Sequence, residues 1–327
     1  MKVAVLGAGA WGTAMSACLS EKEHEVWLLP RRPEHAIQIE RAHENEYLPG
    51  IDLSNVKIGH SPGDIKGAAI VLFACPSSAL LETAKKVQPY VCDAVLIALC
   101  KGLNAQTLQR PSEVLQSIFR NPIGMLTGPN AASEVAEGKP SASVLACTGL
   151  ANERFTGVQE ALSTKTFRVY RSDDLKGVEW GSCLKNVYAI GAGICQGLQL
   201  GDNAKSAYLT RALHEMVRFG VSFGGQPSTF YGLSGFGDLI ATSHGSWSRN
   251  RTFGELLGKG SSIASLLENR KTVVEGYAAT VAFFKLCQSK IDMPLLQELY
   301  AVLYEHKDPK AAILALMNRS LKVESAL

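Results

Sequence analysis

Lys2-Val3-Ala4-Val5-Leu6-Gly7-Ala8-Gly9-Ala10-Trp11-Gly12 decides how the first half of the chain is read. Val3 to Leu6 is a short, wholly apolar run that ends in glycine, the mark of a buried parallel strand. Gly7 to Gly12 spell G-x-G-x-x-G, Thr13 to Glu23 read as a helix, and Val26 to Leu29 supply a second strand. The glycines therefore occupy the strand-to-helix turn of a β-α-β unit. There the first glycine allows a tight turn, and the second lets the backbone approach a pyrophosphate. The third permits close packing of helix on strand. The helix N-terminus adds a field that favours negative charge. Gly7, Gly9 and Gly12 thus predict a dinucleotide site. Lys2 followed by apolar residues to Leu19 also imitates a signal peptide, but the glycine spacing and the second strand favour the β-α-β reading.

Outward from this unit, Ile70 to Ala74, Ala94 to Leu99 and Ser143 to Ala146 read as further buried strands, with helical stretches between several of them. The alternation predicts an α/β, Rossmann-like domain whose mostly parallel sheet carries helices on both faces. After about residue 175 clear strands disappear. Leu209, Ala212, Leu213, Met216 and Val217 form one apolar helix face. Ala278 to Leu286, Leu295 to Tyr304 and Ala311 to Leu316 also read as helices, with Pro294 at a position where a helix start tolerates proline. The expected organisation is a dinucleotide-binding domain over residues 1–180 and an all-α substrate-binding and catalytic domain over 181–327.

The composition narrows the class. The chain has 327 residues, 46% of them hydrophobic, ample for a packed core. Lys and Arg number 33 against 30 Asp and Glu, a net charge of +3 with no basic run of five, so charge predicts no nucleic-acid partner. No run of 18 apolar residues occurs, and no stable membrane insertion is expected. The eight cysteines show no C-x-x-C spacing and no Cys/His cluster, which argues against zinc and iron–sulfur sites. They read as free thiols in a reducing compartment. A small-molecule substrate is the partner to expect, and the apolar helical half is compatible with a homodimer.

Several residues carry candidate chemistry. NAD-specific sites place an acidic residue after the second strand, to hold the ribose hydroxyls. Here the strand runs into Leu29-Pro30-Arg31-Arg32, a basic pair that either suits the 2′-phosphate of NADP or is solvated loop. NADPH is favoured over NADH. Ligands of open α/β sheets sit beyond the carboxyl ends of strands. Lys101 follows one such strand, and Gly128-Pro129-Asn130 follow the apolar Met125-Leu126, with Asn130 either a site residue or the cap of a helix over Ala131 to Glu137. Lys185-Asn186 lie in Gly181 to Gly191, whose small and apolar flanks predict a buried helix. A buried lysine is costly unless paired or functional, and burial is the usual route to a lysine general base. Asp238, in Gly235-Phe236-Gly237-Asp238-Leu239, either begins a helix or orients a lysine. In Ser248-Arg249-Asn250-Arg251, Arg249 can fork onto a phosphate while Ser248 and Asn250 add hydrogen bonds. Thr272-Val273-Val274-Glu275 is either part of the site or a capping box.

With these residues in view, the chain resembles the bacterial-type NAD(P)-dependent glycerol-3-phosphate dehydrogenases over essentially its full length. The motifs are Gly7 to Ala14, Cys100-Lys101-Gly102, Thr127-Gly128-Pro129, Leu184-Lys185-Asn186, Gly237-Asp238-Leu239, Ser248 to Arg251 and Val273 to Gly276. The resemblance implies interconversion of glycerol 3-phosphate and dihydroxyacetone phosphate in the cytoplasm, supplying glycerophospholipid synthesis. It implies cofactor contacts from Ala10, Trp11, Arg32, Lys101, Ala132, Arg249, Val273 and Glu275. Substrate contacts are implied for Lys101, Gly128, Asn130, Asp238, Ser248, Arg249 and Asn250, with Lys185 as proton acceptor. Ala10 stands where the family often has serine, and Asn130 where it usually has serine or threonine. Two other readings are a β-hydroxyacid dehydrogenase, which would grip a carboxylate, and a cofactor-sensing regulator, which would not need Lys185 together with Asp238.

Overall fold

The computed structural model describes residues 1–268, 274–287, 290–321 and 323–324. Thr272 and Val273, named above as candidates, lie outside the described residues. The chain forms two compact units, Met1–Leu175 and Lys176–Leu327. The division falls at the start of a long helix, five residues before the break read from sequence, because the helical residues on either side of it carry no compositional mark.

Unit 1 holds strands β1 (Lys2–Leu6), β2 (Glu25–Leu29), β3 (Lys57–Ile58), β4 (Ile70–Phe73), β5 (Val95–Ala98), β6 (Ile123–Thr127), β7 (Ser141–Thr148) and β8 (Phe167–Ser172). Its helices are α1 (Ala10–Ser20), α2 (Pro33–Ala42), α3 (Leu80–Val87), α4 (Pro111–Gln116), α5 (Ala132–Ala136) and α6 (Asn152–Leu162). The strands make one sheet in the order β3-β2-β1-β4-β5-β6-β7-β8. Pairing is parallel from β3 to β6; β7 is antiparallel to β6, and β8 parallel to β7. The apolar runs become strands because both faces of the sheet are covered: every residue of β4, β5 and β6 is buried. Val3, Met15, Leu19, Leu28, Leu72 and Ile97 meet in the core beneath α1, each such burial contributing about 1.5–3 kcal/mol. The order reverses between β1 and β4, and at that switch point the two connections leave a crevice beyond the carboxyl ends of the strands. Three strands escaped the sequence reading, β6 among them, where only the apolar Met125-Leu126 marks it. Two-residue β3 is too short to show a period, and β8 alternates buried Phe167 and Val169 with exposed Arg168 and Tyr170.

Unit 2 contains, among the described residues, α7 (Leu175–Gly197), α8 (Gly201–Ser222), α9 (Pro227–Phe230), α10 (Asp238–His244), α11 (Arg249–Gly258), α12 (Ile263–Glu268), α13 (Glu275–Cys287), α14 (Pro294–Tyr304) and α15 (Pro309–Met317). Helix α7 is buried along most of its length: Val178, Leu184, Val187, Tyr188 and Ile190 are fully enclosed, and Glu179, Lys185 and Asn186 are buried with them. Trp180 fills the space between Phe219, Phe223 and Phe283, with ring centroids 5.2–6.1 Å apart. Helices α7 and α11 touch backbone to backbone. A Cβ on Gly254 would stand 1.9 Å from the Ile190 carbonyl oxygen. That close approach brings Asn250 to Asn186. Among the described residues no helix is long and apolar enough to cross a membrane.

Candidate active site

Each unit carries one constellation. In unit 1, Gly7 closes β1 with φ +111°, where a Cβ would stand 2.9 Å from the Cys75 nitrogen after β4. Only glycine takes that conformation without strain. Helix α1 leaves the turn in direct contact with it, since a Cβ on Gly12 would lie 1.9 Å from the Gly7 carbonyl oxygen. Gly9 differs: a Cβ there would meet nothing within 4 Å, and no side chain caps the helix it begins. An open cradle over uncapped helix N–H groups fits a pyrophosphate. The Trp11 indole N–H is buried at the same turn with no hydrogen-bond partner among the described residues, and Ala10 is the first residue of α1.

Arg31 and Arg32 stand exposed just beyond β2. A guanidinium nitrogen of Arg32 lies 3.4 Å from the Tyr47 hydroxyl and 3.9 Å from Glu46. With these long, solvated contacts the side chain is lightly held and suited to a phosphate. Lys101 and Gly128, 27 residues apart, are brought together: the ammonium donates to the Gly128 carbonyl at 2.9 Å. The cap reading of Asn130 is corrected. Ala131, not Asn130, precedes α5, and Ala132 is its first residue. The Asn130 amide instead donates to the Ala142 carbonyl at 3.0 Å and accepts from the Ser143 hydroxyl at 2.6 Å, because its own loop folds back onto β7.

In unit 2, Lys185 is 4% exposed on α7 and Asp238 is fully buried as the first residue of α10. A π-helical turn over Leu233–Gly237 delivers Asp238 there, a distortion often found at functional sites. The Lys185 Nζ lies 3.0 Å from Asp238 Oδ1 and donates to Thr242 Oγ1 at 2.7 Å. Thr242 in turn donates to Asp238 Oδ1 at 3.1 Å. The buried charge is thus paired and hydrogen-bonded, as it must be away from water. Thr242 was missed in the sequence; its spacing of four from Asp238 on one helix is the signal that points to it.

One residue further along α7, Asn186 donates to Glu275 Oε2 at 3.3 Å and accepts from Asn250 at 2.9 Å, while Asn250 accepts from the Gly276 N–H at 2.9 Å. Glu275 is the first residue of α13, and its carboxylate takes part in this network; the capping-box reading involves Thr272, which lies outside the described residues. Ser248 is buried and caps α11, accepting from the Arg251 N–H at 3.2 Å. Arg251 pairs with Glu255 at 2.6 Å. Arg249, the first residue of α11, is exposed and forms no ion pair among the described residues. A cation there opposes the helix dipole; an incoming anion would relieve that. Among the described residues no three His, Cys, Asp or Glu side chains are placed to hold a metal ion.

The models of the NAD-dependent glycerol-3-phosphate dehydrogenase N-terminus and C-terminus match residues 2–153 and 174–314. The chain belongs to this family. The glycerol-3-phosphate dehydrogenase [NAD(P)+] of Moorella thermoacetica is 42% identical over 322 residues, covering 97% of this chain and 96% of its own. That of Thermus thermophilus is 43% identical over 332 residues, covering 99% and 100%. The crystal structure of glycerol-3-phosphate dehydrogenase from Coxiella burnetii superposes with a TM-score of 0.91 at 34% identity, covering 97% of this chain and 99% of that one. A ketopantoate reductase from Ralstonia eutropha, 19% identical with a TM-score of 0.61, shares the fold alone.

Proposed function

We propose that the chain interconverts sn-glycerol 3-phosphate and dihydroxyacetone phosphate, using NADPH in preference to NADH, and so supplies glycerol 3-phosphate for glycerophospholipid synthesis. Unit 1 is the dinucleotide-binding domain in this reading, and unit 2 binds substrate and carries the catalytic lysine. The observation that carries it is the buried Lys185–Asp238–Thr242 triangle in a member of this family.

When bound, the nicotinamide supplies or accepts the hydride at C2. Lys185 holds the proton at Nζ. In reduction it donates that proton to the developing C2 alkoxide, and in oxidation it takes the hydroxyl proton. Asp238 and Thr242 hold Nζ from two sides, so the proton is delivered from a fixed point. Lys101 is a further catalytic residue in this reading, with Gly128 and Asn130 shaping the loop beside it. Arg249 binds the phosphate, with Ser248 and Asn250 beside it and Asn186 behind, and that remote binding places C2. The Gly7–Gly12 turn with Ala10 and Trp11 takes the pyrophosphate, Arg31 and Arg32 the 2′-phosphate. Ala132, Val273 and Glu275 complete the cofactor contacts.

The arginine pair carries the NADPH preference, and the phosphate-suited Arg249 favours this reaction over a hydroxyacid substrate. Eight free cysteines fit a reducing cytoplasm; a homodimer is proposed, and sedimentation velocity tests it by giving the mass of one chain or of two. The test follows the absorbance of the reduced nicotinamide with dihydroxyacetone phosphate, then with 2-oxo and 3-oxo acids. Turnover is expected with the first only, and Lys185→Ala should lower kcat about 10²–10⁴-fold, the range of positioned acid–base catalysis. Near-full turnover of that variant would remove Lys185 from its role.

A further inference from the structure

Asn45 lies outside every motif discussed so far, on the segment that follows α2, yet it is fully buried against the glycine-rich turn. Its side-chain nitrogen donates to the Ala8 carbonyl at 3.0 Å and to the Thr13 hydroxyl at 2.7 Å. Its side-chain oxygen accepts from the Tyr47 N–H at 3.1 Å and faces His35 Nε2 at 3.1 Å. All four hydrogen-bonding positions of the amide are therefore used. The amide orientation is not free either. Ala8 offers only an acceptor and the Tyr47 backbone only a donor, so nitrogen must face the turn and oxygen the 45–47 segment. It follows that His35, 5% exposed, carries its proton on Nε2.

The consequence reaches the cradle. Across a trans peptide, the Gly9 N–H points opposite to the Ala8 C=O. With the Ala8 carbonyl held on Asn45, the Gly9 N–H of the same peptide points away from Asn45. The same amide holds the Tyr47 backbone. The Tyr47 ring then stands edge-on to His35 at 5.3 Å, and its hydroxyl lies by Arg32.

We infer that Asn45 is a positioning residue for the dinucleotide: it sets the peptide plane of the glycine-rich turn and ties that turn to the segment that flanks Arg32. The inference rests on the cofactor site proposed above. Asn45 touches no cofactor atom itself; it acts through the Ala8–Gly9 peptide.

Calorimetric titration of the full chain with NADPH and NADH tests this, because it reports affinity and the fraction of competent protein separately. Asn45→Asp keeps the shape and the oxygen that Tyr47 and His35 use, but places an acceptor against the Ala8 carbonyl. Thr13→Val removes one of the two acceptors on the turn side and leaves Asn45 in place. The Asp variant should bind both dinucleotides about tenfold more weakly, the scale of one frustrated buried hydrogen bond. Stoichiometry and the KM for dihydroxyacetone phosphate should stay near the parent's. Thr13→Val should weaken both in the same sense by a smaller factor. An equal fall for NADPH and NADH distinguishes action on the shared turn from action on the 2′-phosphate. Dissociation constants within twofold of the parent in either variant at full stoichiometry would overturn the inference, as would a loss of stoichiometry with unchanged affinity, which is what a merely structural residue produces. Failure of the parent itself to bind either dinucleotide would instead overturn the cofactor site.

Discussion

Glu215 of α8 offers a prediction that can be worked from the structure. It is 3% exposed and accepts three hydrogen bonds: from Leu295 N–H at 2.6 Å and Leu296 N–H at 3.1 Å, both in the first turn of α14, and from the Tyr188 hydroxyl on α7 at 2.9 Å. It is a helix cap supplied by another helix, satisfying N–H groups that α14 leaves open. Burial pushes its pKa up from 4.5 to about 7, against the pull of the three donors and of Arg218. The folded state therefore binds this proton more tightly than the unfolded chain does. Stability from this group is full below pH 4.5 and is lost as pH rises to about 7. At about 1.4 kcal/mol per pH unit the loss amounts to about 3 kcal/mol. Glu215→Gln does not titrate. Its single oxygen cannot serve all three donors, so it should be less stable than the parent at low pH by about 1–3 kcal/mol. As pH rises from about 5 to about 8, the difference between the two should shift toward the variant by about 3 kcal/mol. Urea unfolding of both proteins at the two pH values, without cofactor, measures that double difference. A parent–variant difference that does not change with pH would refute the reasoning.

Three further outcomes follow from the site. Arg32→Ala should weaken NADPH about tenfold relative to NADH in fluorescence titrations, a solvated charge-assisted contact being worth about that much; an unchanged ratio would exclude the arginine from cofactor choice. Arg249→Ala should lower kcat/KM for dihydroxyacetone phosphate by about 10- to 100-fold, and inorganic phosphate, expected to compete with the substrate in the parent, should lose that effect on the variant. Gly12→Ala would force a Cβ to within 1.9 Å of the Gly7 carbonyl oxygen. Melting curves should show about 1–3 kcal/mol of destabilisation, and dinucleotide binding should fall with it.

How much of this was legible varies with how local the signal is. The β1–α1–β2 unit shows in the sequence because an apolar strand and a glycine turn are each specified by adjacent residues. Lys185 stands out because a charge among Cys183, Leu184 and Val187 contradicts its surroundings. Strand β8 did not show, since Arg168, Tyr170 and Arg171 interrupt its apolar residues, and β3 has only two residues. Asn130 was open to a capping role because the sequence does not reveal that Ser143, thirteen positions on, would claim its side chain.

By itself, then, the sequence determined the α/β and all-α halves, the dinucleotide turn and the residues able to do chemistry, because periodicity, glycine spacing and misplaced charge are properties of neighbours along the chain. Only the tertiary structure decided which of those residues meet. Thr242 joins Lys185 across 57 positions, Asn45 reaches back 37 to Ala8, and Glu215 caps a helix 80 positions away. Each pairing satisfies a buried polar group that has no water to turn to, and which partner answers is set by the packing of helices and strands that surround it.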